Sequence, residues 1–445
     1  MIGYYSVLAL RSLRRTPVLT ALMILAIGVG IGTSMTTLAM FRAAAGDPIP
    51  SKSAELFTPQ IDNCGSKCAL LRFGSYSPPD RMPLLLSYRD AAALTHLPSH
   101  DTQEAMYATD VTVVPPDPRS HPLQAVVRAT GAGFFSMFQV PFQYGAPWSR
   151  HEDDAHAPVV VITRALNDRL FDGADSVGKT LRLDTNDYRI EGVIDTWQAV
   201  PQFYDLFSNL GEADSLFIPF TRAVDMQLEP AYVTCSGAGP TQPGKDAWHG
   251  LIDSECNWVD FWVQLSDDAA LHRYRQMLTA YVNDQRRDGR FLWPPRVQLR
   301  DVMQWLRYLD VVPAEVRVAV IVSLGLLGAC LVNAMGLILA RFLPRMLDIS
   351  VRRAAGATRP AIFLQSLIEL GMIGLFGAGL GLLLTALGLQ VSRKLLPLNL
   401  LALVRFDSAD IGIAFALSIA AALIAGLYPI WRVSRVQPAL HLKVQ

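Results

Sequence analysis

Four long apolar runs, and the distance between the first and the rest, limit the folds open to this chain more than any other feature. Crossing a hydrocarbon core as a helix takes roughly 20 apolar residues. Runs of that kind lie at Pro17–Phe41, Val316–Phe342, Leu370–Val391 and Ile411–Trp431. Residues 42–315 hold no such run and are rich in Pro, Asp and Gly. The pattern predicts an α-helical membrane protein with four transmembrane helices and a large α+β water-soluble domain inserted between helices 1 and 2. The expected order is an amphipathic segment at 1–16, helix 1 at 17–41, the outer domain at 42–315 and helix 2 at 316–342. A basic connecting segment at 343–361, helix 3 at 362–391, a short outer loop at 392–409, helix 4 at 410–431 and a tail at 432–445 complete it. A cleaved signal peptide is the alternative for the first run, with small residues at Ala43–Ala45 as its cleavage site. Its apolar stretch exceeds the usual core of such peptides, and the uncleaved anchor leaves the flanking charges in order.

Short cytoplasmic loops carry the excess of Lys and Arg. Arg11, Arg14 and Arg15 precede the first run without an acid. Arg341, Arg345, Arg352, Arg353 and Arg359 follow the second against Asp348, and Arg432, Arg435 and Lys443 follow the fourth. With four spans all three places fall on the inner side, and the large domain falls outside. The formal net charge is zero, so no basic surface for nucleic acid is indicated.

Cys64, Cys68, Cys235 and Cys256 all lie in the outer domain, and Cys330 alone lies in a span. An even number in a non-cytosolic domain indicates two disulfides, with three pairings open. A four-thiolate zinc site is the rival, disfavoured because its ligands normally come as two close pairs.

Within the outer domain, "APVVVITRALNDRLF" joins a strand to a helical period, and "KTLRLDTNDYRIEGVID" reads as a hairpin about an Asn-Asp turn. "SLFIPF" and "DFWVQL" read as strands and "DAALHRYRQMLTAYVNDQRR" as a helix. Two stretches imitate functional motifs. "GADSVGKT", Gly173 to Thr180, has the spacing of a phosphate-binding loop. That loop needs a strand before it and a helix after it; here a helix precedes and a hairpin follows, so a turn into a strand is the expectation. "HEDDAHA" suggests a metal cluster, yet His151 and His156 are five residues apart and turned by about 140° on a helix. A solvated acidic loop is the expectation there. No nucleophile elbow or carboxylate pair stands out, so no catalytic residue and no metal ligand is assigned.

Small residues let membrane helices approach closely, which makes Gly28 with Gly32, and Gly377 with Gly381, candidate packing residues. Asn333 is the strongly polar side chain in mid-span and is expected to face protein through a helix–helix hydrogen bond. Ionisable groups are missing from the span centres, which argues against an ion-coupled path through the bilayer.

"DISVRRAAGATRPAIFLQSLIE" resembles the motif that follows the second span in permeases of the macrolide-exporter MacB and cell-division FtsX family. "GLYPIWRVSRVQPALHLK" is similar to that family's closing motif, and "ALRSLRRTPVLTALMILAIGVGIG" to its first segment and span. "APVVVITRALNDRLFDGADSVGKTLRL" resembles a recurrent stretch of its periplasmic domain. Asp348 stands where Glu is usual and Ser350 where Gly is usual, and the cysteine-bearing stretches are not part of the pattern.

The resemblance implies a permease in the bacterial inner membrane with its large domain in the periplasm. It works without catalysis of its own and relays mechanical change from a separate cytoplasmic ATPase. ATP and Mg would be held by that partner, and no cofactor by this chain. A second permease copy or paralogue, membrane lipid, and a periplasmic adaptor with an outer-membrane duct are the other implied partners. By the same resemblance Asp348, Ile349, Val351, Arg352, Arg353, Gly356, Ala357 and Arg359 form the segment that meets the ATPase. Glu369 is expected at the inner membrane edge in an interfacial role. Export or extrusion is the first functional expectation. A signalling permease acting on an extracytoplasmic partner, a lipoprotein-releasing permease, and a membrane-anchored enzyme are the alternatives.

Overall fold

The computed structural model describes residues 2–63, 82–97, 101–197, 199, 201–205, 214–235, 247–294, 296–312, 314–342, 358–395, 412 and 415–426. They form two compact units, one of Met1–Ala45 with Val312–Gln445 and one of Gly46–Val311.

The first unit is helical. An N-terminal helix, Ile2–Arg15, is followed by the first span helix, Pro17–Ala45. Pro17 suits a first helical position because its missing N–H would have no partner there. The second span helix is Ala314–Phe342 and the third Arg359–Leu395. Among the described residues these are the three helices long and apolar enough to cross a membrane, and Phe415–Gly426 is a shorter apolar helix.

The second unit is built on a mixed sheet of eleven strands among the described residues. They are β1 (Leu56–Ile61), β2 (Leu86–Ser87), β3 (Thr102–Val114), β4 (Leu123–Thr130), β5 (Phe142–Gly145) and β6 (Val159–Thr163). β7 (Thr180–Leu183), β8 (Asn186–Ile194), β9 (Leu216–Pro219), β10 (Asn257–Gln264) and β11 (Val297–Asp301) follow. The main path runs β11-β1-β10-β3-β4-β9-β6-β8-β5, with β2 on β10 and β7 bridging β3 and β8. β4 with β9 and β6 with β8 are parallel pairs; the other pairs are antiparallel. Apolar residues on both sides of the pleat bury both faces of the sheet. In β6, Val160 and Ile162 enter one core cluster while Val159 and Val161 enter the other.

The strand–helix stretch folds as β6 followed by helix Arg164–Phe171, whose N-cap Thr163 accepts from the Leu166 amide at 3.3 Å. β7 and β8 form the expected hairpin, but the turn falls on Asp184 and Thr185, since Leu183 pairs with Asn186. Asp184, at φ 51°, takes the left-handed conformation that tight hairpin turns need, and Asp tolerates it. The turn sits two residues earlier than an Asn-Asp reading, at Asn186 and Asp187, puts it. "DAALHRYRQMLTAYVNDQRR" is a helix, Asp268–Arg287, capped by Asp267, which accepts from the Ala270 amide at 2.6 Å.

Candidate functional site

Neither motif imitation becomes a site. Gly173 to Thr180 turns through Gly173 and Gly178, both at positive φ, directly into β7. Ser176, buried there, donates to Asn167 at 2.6 Å instead of facing a phosphate. In "HEDDAHA" the acids do structural work. Ser149 and Glu152 form a capping box: the Ser149 amide donates to Glu152 at 2.8 Å, and the Ser149 hydroxyl accepts from the Glu152 amide at 3.3 Å. Such a box satisfies two otherwise unpaired donors at a helix start. Asp153 accepts from the Ala132 amide at 2.7 Å and from the Trp148 indole at 2.6 Å. His156 pairs with Asp225 at 2.5 Å. Among the described residues no group of His, Cys, Asp and Glu is arranged to hold a metal.

Cys235 and Cys256 are joined by a disulfide, which removes two thiolates from a zinc reading. Cys64 and Cys68 lie outside the described residues.

The second unit contains a charged cluster that sequence reasoning missed. Arg128 of β4 is fully buried and faces Asp205 at 2.5 Å, Asp214 at 2.9 Å and Asp260 of β10 at 4.0 Å. Asp214 also accepts from the Tyr204 hydroxyl at 3.0 Å and from Gln202 at 3.2 Å. Three carboxylates outnumber one guanidinium. Burial, and then the neighbouring charge of Asp205, holds Asp260 well above the usual carboxylate range. Nothing in the order of residues pairs Arg128 with acids 77 to 132 positions away, since only the β4, β9 and β10 neighbourhood brings them together.

In the helical unit the first span packs against both the second and the third. Its small residues make this contact. A Cβ added at Gly32 would stand 2.7 Å from Leu384 Cβ and 3.2 Å from the Gly381 carbonyl. One at Gly28 would stand 2.8 Å from Leu380, one at Gly377 2.8 Å from Ile27, and one at Gly381 3.0 Å from Ile31. Side chains larger than hydrogen are therefore excluded from both sides of this seam. Gly30 lies against the second span in the same way, with Leu327 at 2.9 Å and Cys330 Cβ at 3.2 Å. Hydroxyls add cross-helix bonds: Ser34 to the Ser323 carbonyl at 3.1 Å, Thr37 with Ser323 at 2.7 Å, and Thr385 to the Gly32 carbonyl at 3.3 Å. Asn333 is exposed on the second span, three residues before Gly336, beside which no described atom comes within 4 Å of an added Cβ.

Arg341 and Glu369 depart from the sequence expectation. Arg341 is no loop charge: it lies in the last turn of the second span helix, with its side chain buried. Glu369, ten residues into the third helix, is buried as well and pairs with it directly. Ser12 of the N-terminal helix donates to Glu369 at 2.7 Å, and Arg341 donates to Thr20 of the first span at 3.3 Å. Four helices thus meet at one ion pair. The signal for it was a lone base and a lone acid at facing ends of two apolar runs. Asp348, Ile349, Val351, Arg352, Arg353, Gly356 and Ala357 lie outside the described residues, and Arg359 opens the third helix.

With this geometry in hand, comparison with known proteins adds the family. Residues 20–281 match the MacB-like periplasmic core domain, and residues 319–438 match the FtsX-like permease C-terminal domain. The chain belongs to the MacB/FtsX-like family of ABC transporter permeases. Two curated relatives are both called "Macrolide export ATP-binding/permease protein MacB". That of Agrobacterium fabrum is 24% identical over 78% of this chain and 47% of its own length. That of Azoarcus sp. is 22% identical over 98% of this chain and 58% of its own length. This MacB/FtsX-like chain therefore spans about half the length of these relatives. Among solved structures, the periplasmic region of MacB from Actinobacillus actinomycetemcomitans covers 59% of the chain at 13% identity, with a TM-score of 0.36. The extracellular domain of the noncanonic ABC-type transporter YknZ from Gram-positive bacteria covers 55% at 11% identity and a TM-score of 0.32.

Proposed function

We propose that this permease relays ATP-driven conformational change from a separate cytoplasmic ATPase to its periplasmic domain, and that the work done is export or extrusion of a substrate from the periplasm. The observation that carries the reading is the build of the spans: a first helix seated by glycine contacts between a second and a third. That arrangement suits close-packed levers, and among the described residues no charged side chain lies at a span centre. In this reading the chain lies in the inner membrane with four spans, the fourth running through Phe415–Gly426.

ATP and Mg belong to the partner ATPase, which docks on the segment from Asp348 to Arg359; Arg352 and Arg353 face an acidic surface on it. A second permease copy covers the Asn333 face of the second span, because an amide left in mid-bilayer against lipid is costly. A periplasmic adaptor and an outer-membrane duct complete the export assembly. The relatives' printed names support ATP-driven export, and the FtsX-like match also fits a signalling permease.

The test is affinity purification of the full chain in mild detergent, with identification of what accompanies it. An ABC ATPase is expected with the wild type and is expected to be lost from Arg352→Glu/Arg353→Glu. Absence of any ATPase, or its equal recovery with the variant, sinks the docking reading.

A further inference from the structure

The ion pair between Arg341 and Glu369 has a place in the chain that gives it a role beyond holding helices together. The second span helix ends at Phe342 and the third begins at Arg359, so the pair sits across the two anchors of the segment proposed to meet the ATPase. The first span separates the other two over much of their length, since each packs on it. Arg341 and Glu369 tie the second directly to the third. Ser12 brings in the N-terminal helix, which also buries Ala9 and Leu13 in this unit. The pair reaches the first span near that helix's start, through the Thr20 hydroxyl.

A buried ion pair cannot open halfway at low cost, because each separated ion is left desolvated and unpaired. The two helix ends that carry it therefore move as one body, and so does the N-terminal helix bonded to Glu369. The contacts of the first span differ in kind: van der Waals seams and single hydroxyl bonds, which can be exchanged one at a time.

We propose that Arg341 and Glu369 are positioning residues of the transport cycle: they lock the inner ends of the second and third spans and the N-terminal helix into one block, so that force on the intervening segment displaces the first span instead of spreading its own anchors. The inference rests on the docking reading above and is tested separately from it.

Spin labels at Ala340→Cys and Leu364→Cys, both exposed positions, report the separation of the two anchors by pulsed electron resonance. The full chain is placed in lipid nanodiscs, in a background lacking Cys64, Cys68 and Cys330. One narrow distance population is expected with the native pair. Glu369→Gln and the apolar pair Arg341→Met/Glu369→Leu are expected to add a second, longer population. The apolar pair serves because such replacements commonly fold. The exchanged pair Arg341→Glu/Glu369→Arg is expected to restore one population, since the Ser12 and Thr20 hydroxyls can serve either ion. If the apolar pair gives the native distribution, packing alone sets the anchors and the proposal is overturned. If the exchanged pair stays broad while the chain is folded, the ionic lock is likewise refuted. Neither outcome depends on an ATPase, so failure of docking and failure of the lock are told apart.

Discussion

Replacing Gly32 by alanine adds one methyl group at the tightest point of the seam between the first and third spans. The new Cβ would lie 2.7 Å from Leu384 Cβ and 3.2 Å from the Gly381 carbonyl oxygen. Carbon atoms pack best at about 3.5–4.0 Å, and neither neighbour is the free end of a flexible side chain. The helices must therefore part locally by on the order of 1 Å, loosening the Gly28, Gly377 and Gly381 contacts together. Overpacking of this kind costs about 1–3 kcal/mol. Gly379→Ala is the matched control, on the third helix and with no described atom within 4 Å of the added carbon. Both variants share the intrinsic helical gain of alanine over glycine, up to about 1 kcal/mol, so the difference isolates the contact. The reporter is Cys330, whose Cβ lies against Gly30 across the neighbouring seam. In a Cys64→Ser/Cys68→Ser background its alkylation on heating follows loss of helix packing in detergent. Gly32→Ala is expected to be less stable than Gly379→Ala by about 1–3 kcal/mol, roughly five- to 160-fold in the unfolding equilibrium. Equal stability of the two variants would refute the close-packed reading of this seam.

Three further outcomes concern the periplasmic-type unit, whose unfolding tryptophan fluorescence reports because all tryptophans but Trp431 lie in residues 46–311. Arg128→Met strands three buried carboxylates and is expected to cost about 3–5 kcal/mol in denaturant titration; a loss under 1 kcal/mol would show that the acids are already neutral without it. Glu104 is buried against the Gly131 and Gly133 amides, and burial, reinforced by the charge of Asp153, pushes its carboxyl up to about 8. Its unfolded value is near the ordinary 4.5, so the folded unit holds the proton longer and loses stability as pH rises from that value through the folded one. The slope in this window is about 1.4 kcal/mol per pH unit. Glu104→Gln is expected to remove that part of the pH dependence, and parallel pH–stability curves for variant and wild type would contradict it. Cys235→Ser/Cys256→Ser opens a link across a sequence separation of 21 and is expected to cost about 3 kcal/mol. Intact mass before and after reduction checks that the link exists.

The local elements were legible because each carries its own periodicity or cap. β6 with its following helix, β9, β10 and the helix Asp268–Arg287 fall where alternation and the 3.6 period put them. The three apolar helices were legible from length alone, and the glycines of the first seam from their four-residue spacing. The sheet order was not, because β10 inserts between β1 and β3 only after most of the unit has been made. Arg128 with its three acids was hidden for the same reason. Arg341 was legible as a base at the end of the second run but not as half of a buried pair, because sequence counts a charge without showing that Glu369 neutralises it. A strand follows Gly173–Thr180 where a phosphate-binding loop needs a helix, and a capping box engages Glu152.

The four-residue repeat on the first span also dictates which movements are costly. Gly28 and Gly32 face Gly377 and Gly381 of the third helix. Rotation of the first span about its own axis would replace hydrogen by Ile27 or Ile31 against Leu380 and Leu384 and wedge the helices apart. Sliding is no easier: a displacement of four residues, about 6 Å along the axis, brings one glycine to the place the other has left but puts Ile24 or Thr36 where that other glycine stood. The seam therefore fits in one register, and leaving it requires the two helices to part.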